Sequence, residues 1–147
     1  MILQLAVGTG LILLTVFVAG LAFWAVETAM LRAQDWFLRE PHGLRLSIGL
    51  GVAVVWVLGV ITASVWIWAI AFRLLGLFAT MEGAVYFALV AFTTLGFGDI
   101  LLPVDWRLLG GLAAANGLLI MGFLTAMLVE IMRNVRVRQL ETRRKRG

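Results

Sequence analysis

Cysteine is absent from this chain of 147 residues, and histidine occurs once. Disulfides and thiolate-held metals are thereby excluded. The single His42 lies in Pro41-His42-Gly43, which reads as a solvated turn. Charge is also scarce, at 14 % of residues. The polar residues that remain assemble no set of nucleophile, base and acid, so neither an enzyme nor a bound cofactor is expected.

What the chain has in abundance is apolar surface. Hydrophobic residues make up 63 % of it, with a mean hydropathy of +1.04. That is far outside the range of soluble domains, so the bilayer is the solvent. The length gives room for one membrane domain and no soluble domain of ordinary size beside it. Three stretches reach the roughly 20 residues needed to cross a hydrocarbon core. They begin near Leu3, Leu46 and Leu108 and end near Val26, Phe72 and Met132. No Lys or Arg precedes the first, which is therefore expected to be retained as a span. Between the second and third lies an apolar segment at 82–93. At 1.5 Å per residue it is only about 18 Å long, too short to cross, and it is expected to be a re-entrant helix. Thr80 can cap its start, and Glu82 suits the positive end of its dipole.

The formal charge of +4 is concentrated at one end. Arg133, Arg136, Arg138, Arg143, Arg144, Lys145 and Arg146 crowd the stretch 133–147. Directly after a membrane helix, such a tail marks the cytoplasmic side and meets anionic lipid heads, and nucleic acid is not the expected partner. Three crossings then put the amino terminus outside and the 28–45 link inside, with Arg32, Arg39 and Arg45. Only Arg73 and Arg107 fall outside, as the positive-inside rule requires. Within the link, residues 30–39 mix apolar and charged side chains, which suits an interfacial amphipathic helix or an ordinary polar linker. Trp24 and Trp36 near one boundary, and Trp66, Trp68 and Trp106 near the other, read as aromatic belts. The size and the absence of a cleavable leader point to a prokaryotic inner membrane.

The most informative stretch is Thr93-Thr94-Leu95-Gly96-Phe97-Gly98-Asp99, set between the short helix and the third span. Neighbouring carbonyls point the same way only where backbone handedness alternates. Gly96 and Gly98 tolerate left-handed angles without a Cβ clash. Irregular backbone at that depth is allowed only where it is buried in protein or lines water. The run resembles the T-[VIL]-G-[YF]-G-D filter of potassium channels, and residues 46–132 resemble their two-helix pore module. The first segment, 1–27, has no counterpart in that module and lacks the regular arginines of a voltage sensor.

The resemblance implies an all-α membrane protein: three transmembrane helices plus a re-entrant pore helix and filter loop per subunit, assembled as a homotetramer. It implies K⁺ coordination at Thr94, Leu95, Gly96 and Phe97, with Gly98 a further carbonyl donor and Asp99 (the end of the 94–99 filter) an acid at the outer mouth. Tyr86 and Phe87 take the place of the paired aromatics that brace the filter. Two departures matter. Phe97 replaces the commoner tyrosine, so a phenolic hydrogen bond behind the filter is lost. Val90 stands where some members carry a glutamate, which leaves the hydrogen bonding of Asp99 open.

In the inner helix, 108–132, helical spacing puts Asn116, Ile120, Phe123 and Met127 on one face, which position relative to the filter assigns to a cavity. Asn116 reads equally as a cavity residue or as one partner of a helix–helix hydrogen bond. Gly117 and Gly122 are candidate hinges or close-packing positions, and Gly110 and Gly111 let the re-entrant helix approach. Glu130 either rings the inner mouth or pairs with Arg133. The expected function is passive, selective K⁺ conduction. The alternatives are a weakly selective cation channel, a non-conducting accessory subunit or a lipid-binding anchor protein. About fourteen residues after the last span are too few for a gating domain, so a leak-like or lipid-modulated channel is expected.

Overall fold

The computed structural model describes residues 1–32 and 42–146. Helix α1 spans Ile2–Arg32, α2 spans His42–Leu74, α3 spans Met81–Phe92, and α4 spans Arg107–Arg146 behind a single 3-10 turn at Val104–Trp106. Helices α1, α2 and α4 each contain an apolar stretch long enough to span a membrane, and α3, with 12 residues, does not. Among the described residues the chain is therefore all-helical, with three membrane-length helices and a short one between the last two, as expected. Much of the 30–39 segment lies outside the described residues. Helix α4 continues unbroken through most of the basic stretch that begins at Arg133.

Local chemistry sets where the helices stop and start. Helix α2 ends in a Schellman motif: the Leu77 amide donates to the Phe72 carbonyl and the Gly76 amide to that of Arg73, each at 3.1 Å. Gly76 supplies the left-handed residue that this closure needs, at φ 72°. Four residues on, Thr80 is extended and its hydroxyl accepts from the Gly83 amide at 3.2 Å, which caps α3. Glu82 stands in the first turn, beside the positive end of the dipole.

Paired contacts give the direction of the helices. The Gln4 side chain donates to the Asp105 carbonyl. Gly8 faces Leu109 and Leu112, and Thr15 faces Asn116. The numbers rise together, so α1 runs parallel to α4, as it must if α2 crosses back between them. Helix α3 is held to the end of α2 by an aromatic cluster. The rings of Phe72 and Phe87 meet edge to face at 5.4 Å, with Phe78 and Trp68 against them. Trp68 is wholly buried in this core. Its expected place in an interfacial belt is corrected: it lies on the face of α2 that packs inward, whereas Trp66 is exposed. Val52, Val55 and Leu58 on α2, and Leu13 and Phe17 on α1, are exposed apolar side chains, as a lipid solvent allows.

Candidate functional site

The 94–99 loop grows directly out of the carboxyl end of α3. The last turn closes as a second Schellman motif, with the Leu95 amide donating to the Val90 carbonyl at 3.0 Å and the Thr94 amide to that of Ala91 at 2.9 Å. Here the left-handed position is a threonine, at φ 57°. A β-branched residue in that region is an outlier, with a cost of about 1–2 kcal/mol that the two capping bonds offset. Gly96 follows at φ 56° and Gly98 at φ 75°, while Leu95 and Phe97 between them keep negative φ. Backbone handedness thus alternates over five consecutive residues. The glycines were legible as part of this pattern. Thr94 was not, because the usual signal for such a position is glycine itself.

Within one chain this loop has almost no cover. Every residue from Thr93 to Leu101 is exposed, including Leu95 at 56 % and Phe97 at 66 %. Beside it, Phe92 is fully buried and Leu102 nearly so, and these fix the two ends of the loop to the helices.

Asp99 has a definite partner. The Tyr86 hydroxyl donates to its Oδ2 at 2.7 Å. That bond is the main influence holding the Asp99 carboxyl below its ordinary value of 3.8, against a smaller desolvation effect and with help from the Ile100 amide. The hydrogen bonding that Val90 leaves open is therefore supplied from one turn earlier in α3. The two adjacent aromatics divide their work. Tyr86 reaches Asp99 at the far end of the loop, and Phe87 turns to the aromatic cluster and to Gly110, where an added Cβ would sit 3.2 Å from its Cζ. Gly111 meets nothing within 4 Å.

On α4, Asn116, Ile120 and Met127 are closed off inside the single chain, and Phe123 is 39 % exposed. Adding further copies can only remove surface. The three buried residues therefore lie on the face that packs against the chain's own helices, and Phe123 stands at its edge. The Asn116 amide nitrogen donates to the Thr15 hydroxyl at 2.8 Å, and that hydroxyl donates in turn to the Ile12 carbonyl at 2.9 Å. This is the helix–helix bond that was one of its two readings. Gly117 is a close-packing position: an added Cβ would lie 2.0 Å from the Phe92 carbonyl oxygen. Gly122 meets nothing within 4 Å. Glu130 pairs with Arg133 at 2.9 Å.

A family model described as ion channel matches residues 49–134, more than half of the chain, running from within α2 through α3 and the loop into α4. Neither the curated proteins nor the solved structures gave a match.

Proposed function

This chain belongs to the ion channel family, and from that premise we propose that it conducts K⁺ passively and selectively through a pore shared by four identical copies. The observation that carries this reading is the alternation of positive φ at Thr94, Gly96 and Gly98 with negative φ at Leu95 and Phe97. Such a backbone turns successive carbonyls to one side, where they replace the water of a dehydrated cation. Thr94, Leu95, Gly96 and Phe97 supply the K⁺ sites, Gly98 completes the row, and Asp99 holds a negative charge at the outer mouth. The exposure of Leu95 and Phe97 in one chain supports assembly. Irregular, apolar backbone in a bilayer needs protein around it, and copies of the same loop provide that cover.

Phe123 on the exposed edge of α4 is kept as a cavity residue. Leu118 and Gly122, also exposed, extend that surface. Asn116, Ile120 and Met127 support the inner helix from behind. The amino terminus lies outside and the basic end of α4 is cytoplasmic, against anionic lipid. A prokaryotic inner membrane suits this arrangement.

The experiment is a reversal-potential measurement in mixed K⁺ and Na⁺, on purified protein in liposomes, beside Gly96→Ala. The parent prefers K⁺. The variant, which forces a Cβ into left-handed backbone, loses that preference. Selective flux retained by Gly96→Ala refutes the proposed filter. Phe97, which has no hydroxyl to bond behind the loop, favours weak cation selectivity as the second reading, and the same reversal potentials separate the two. A crosslinked ladder that stops at monomer or dimer would instead indicate an accessory subunit.

A further inference from the structure

Helix α1 has no counterpart in the two-helix pore module, yet it makes a specific polar contact with α4. Thr15 and Asn116 are both wholly buried. The Asn116 amide nitrogen lies 2.8 Å from Thr15 Oγ1, and its Oδ1 lies 3.1 Å from the same oxygen. Two helices that bury an amide in an apolar medium hold each other in register, because sliding apart strands that amide. Packing agrees with this. A Cβ on Gly8 would fall 2.4 Å from Leu112 Cδ1, so α1 lies close along α4 one stretch nearer the amino terminus.

The next residue after Asn116 faces a different neighbour. Gly117 presses against the Phe92 main chain, with its would-be Cβ 2.0 Å from the carbonyl oxygen and 2.7 Å from the carbonyl carbon. Phe92 is the last residue of α3, two positions before left-handed Thr94. At one level of the membrane, therefore, α4 is gripped by α1 on one side and backs the root of the loop on the other. Thr15 is linked to Thr94 by its hydrogen bond to Asn116, by the close approach of Gly117 to Phe92, and by the two residues of chain that follow Phe92.

We infer that α1 is a brace on the inner helix and that Thr15 is a positioning residue for the conducting loop, acting through Asn116 and Gly117. This rests on the proposed conduction and adds a role for the helix which that reading leaves unused. Thr15→Val keeps the volume and removes the acceptor of the Asn116 amide. The amide then turns away to find another partner, α4 leaves α1, and the backing behind Phe92 loosens.

Single-channel recording tests this, since it reads each assembled molecule and is unaffected by how much protein folds. Thr15→Val lowers the ratio of open to closed time by about three- to twentyfold, the range that one interhelical hydrogen bond can supply, at unchanged unit conductance. Thr15→Ser, which keeps the hydroxyl, behaves as the parent. Gly8→Val prises the same helices apart without stranding an amide, because its branched Cβ stands 3.2 Å from Leu112 Cβ, which no rotamer change moves, and it shifts the ratio in the same direction even if Thr15→Val fails to assemble. Leu13→Ala, on the exposed side of α1, changes nothing. If the parent conducts selectively while Thr15→Val and Gly8→Val both gate as it does, the brace is refuted and the proposed function stands. A parent that passes no cation overturns both.

Discussion

Gly117→Ala is the sharpest perturbation the structure offers, because a single methyl group would enter main chain rather than side chain. The added Cβ would lie 2.0 Å from the Phe92 oxygen, 2.7 Å from its carbonyl carbon and 2.8 Å from its Cα. Ordinary contact begins at 3.4 Å, so α4 and the end of α3 must separate by about 1.4 Å. A flexible side chain would absorb that by changing rotamer. A helix terminus held by two capping bonds cannot do so without disturbing Thr94 and Leu95, which donate those bonds. Overpacking of this kind costs about 1–3 kcal/mol, with rigid main chain at the upper end. Against it stands a gain of about 1 kcal/mol in helix propensity when alanine replaces glycine.

The net expectation is a loss of about 1–2 kcal/mol, read as earlier thermal dissociation of the detergent-solubilised protein, together with reduced K⁺ preference in liposome flux. Gly122→Ala is the internal control. Nothing lies within 4 Å of its would-be Cβ, so within one chain it should be neutral or slightly stabilising. The two variants also separate packing from hinging. A hinge glycine, made stiffer, alters opening and leaves thermal stability intact. If Gly117→Ala dissociates at the parent temperature and selects K⁺ as the parent does, the contact with Phe92 is not what positions the loop.

Tyr86→Phe removes the hydrogen bond that holds the Asp99 carboxyl below its ordinary value. The charge on Asp99 is present above that value and is lost as pH falls through the lowered one, so the parent resists external acid further than the variant does. A plot of conductance against outer pH should show the variant losing current at the higher pH, and coincident curves would refute the role of the bond. Thr94→Gly relieves the left-handed strain but removes the hydroxyl, which in the proposed filter adds an oxygen to the innermost K⁺ site, so it should raise thermal stability while lowering K⁺ preference, whereas Thr94→Ser should keep that preference. A fall in stability for Thr94→Gly would contradict the strain argument. Thr80→Ala removes the cap of α3 and should cost about 1 kcal/mol in unfolding experiments, with ion preference unchanged.

The spans were legible because a bilayer demands long apolar runs, and α3 was legible because its length was too short to cross while its cap was chemically explicit at Thr80. The alternation at Gly96 and Gly98 followed from glycine alone. Other features depend on which helices touch, and one sequence does not carry that. Asn116 is polar in an apolar helix, a signal that a partner exists, but only the parallel packing of α1 and α4 identifies Thr15. Gly117 and Gly122 look alike in sequence, and only the position of Phe92 separates them.

Val90 and Tyr86 make the same point from the opposite direction. Taken singly, Val90 is a missing carboxyl and Tyr86 a bracing aromatic. Taken together, they describe one substitution of chemistry. Asp99 still receives a hydrogen bond from the short helix, now from a phenol that reaches it directly at 2.7 Å. A phenol donates without adding charge, so it holds Asp99 ionised, whereas a second carboxylate there would have to share a proton with it. In the proposed outer mouth, Asp99 should therefore hold its charge further into acid than one member of a carboxyl pair would.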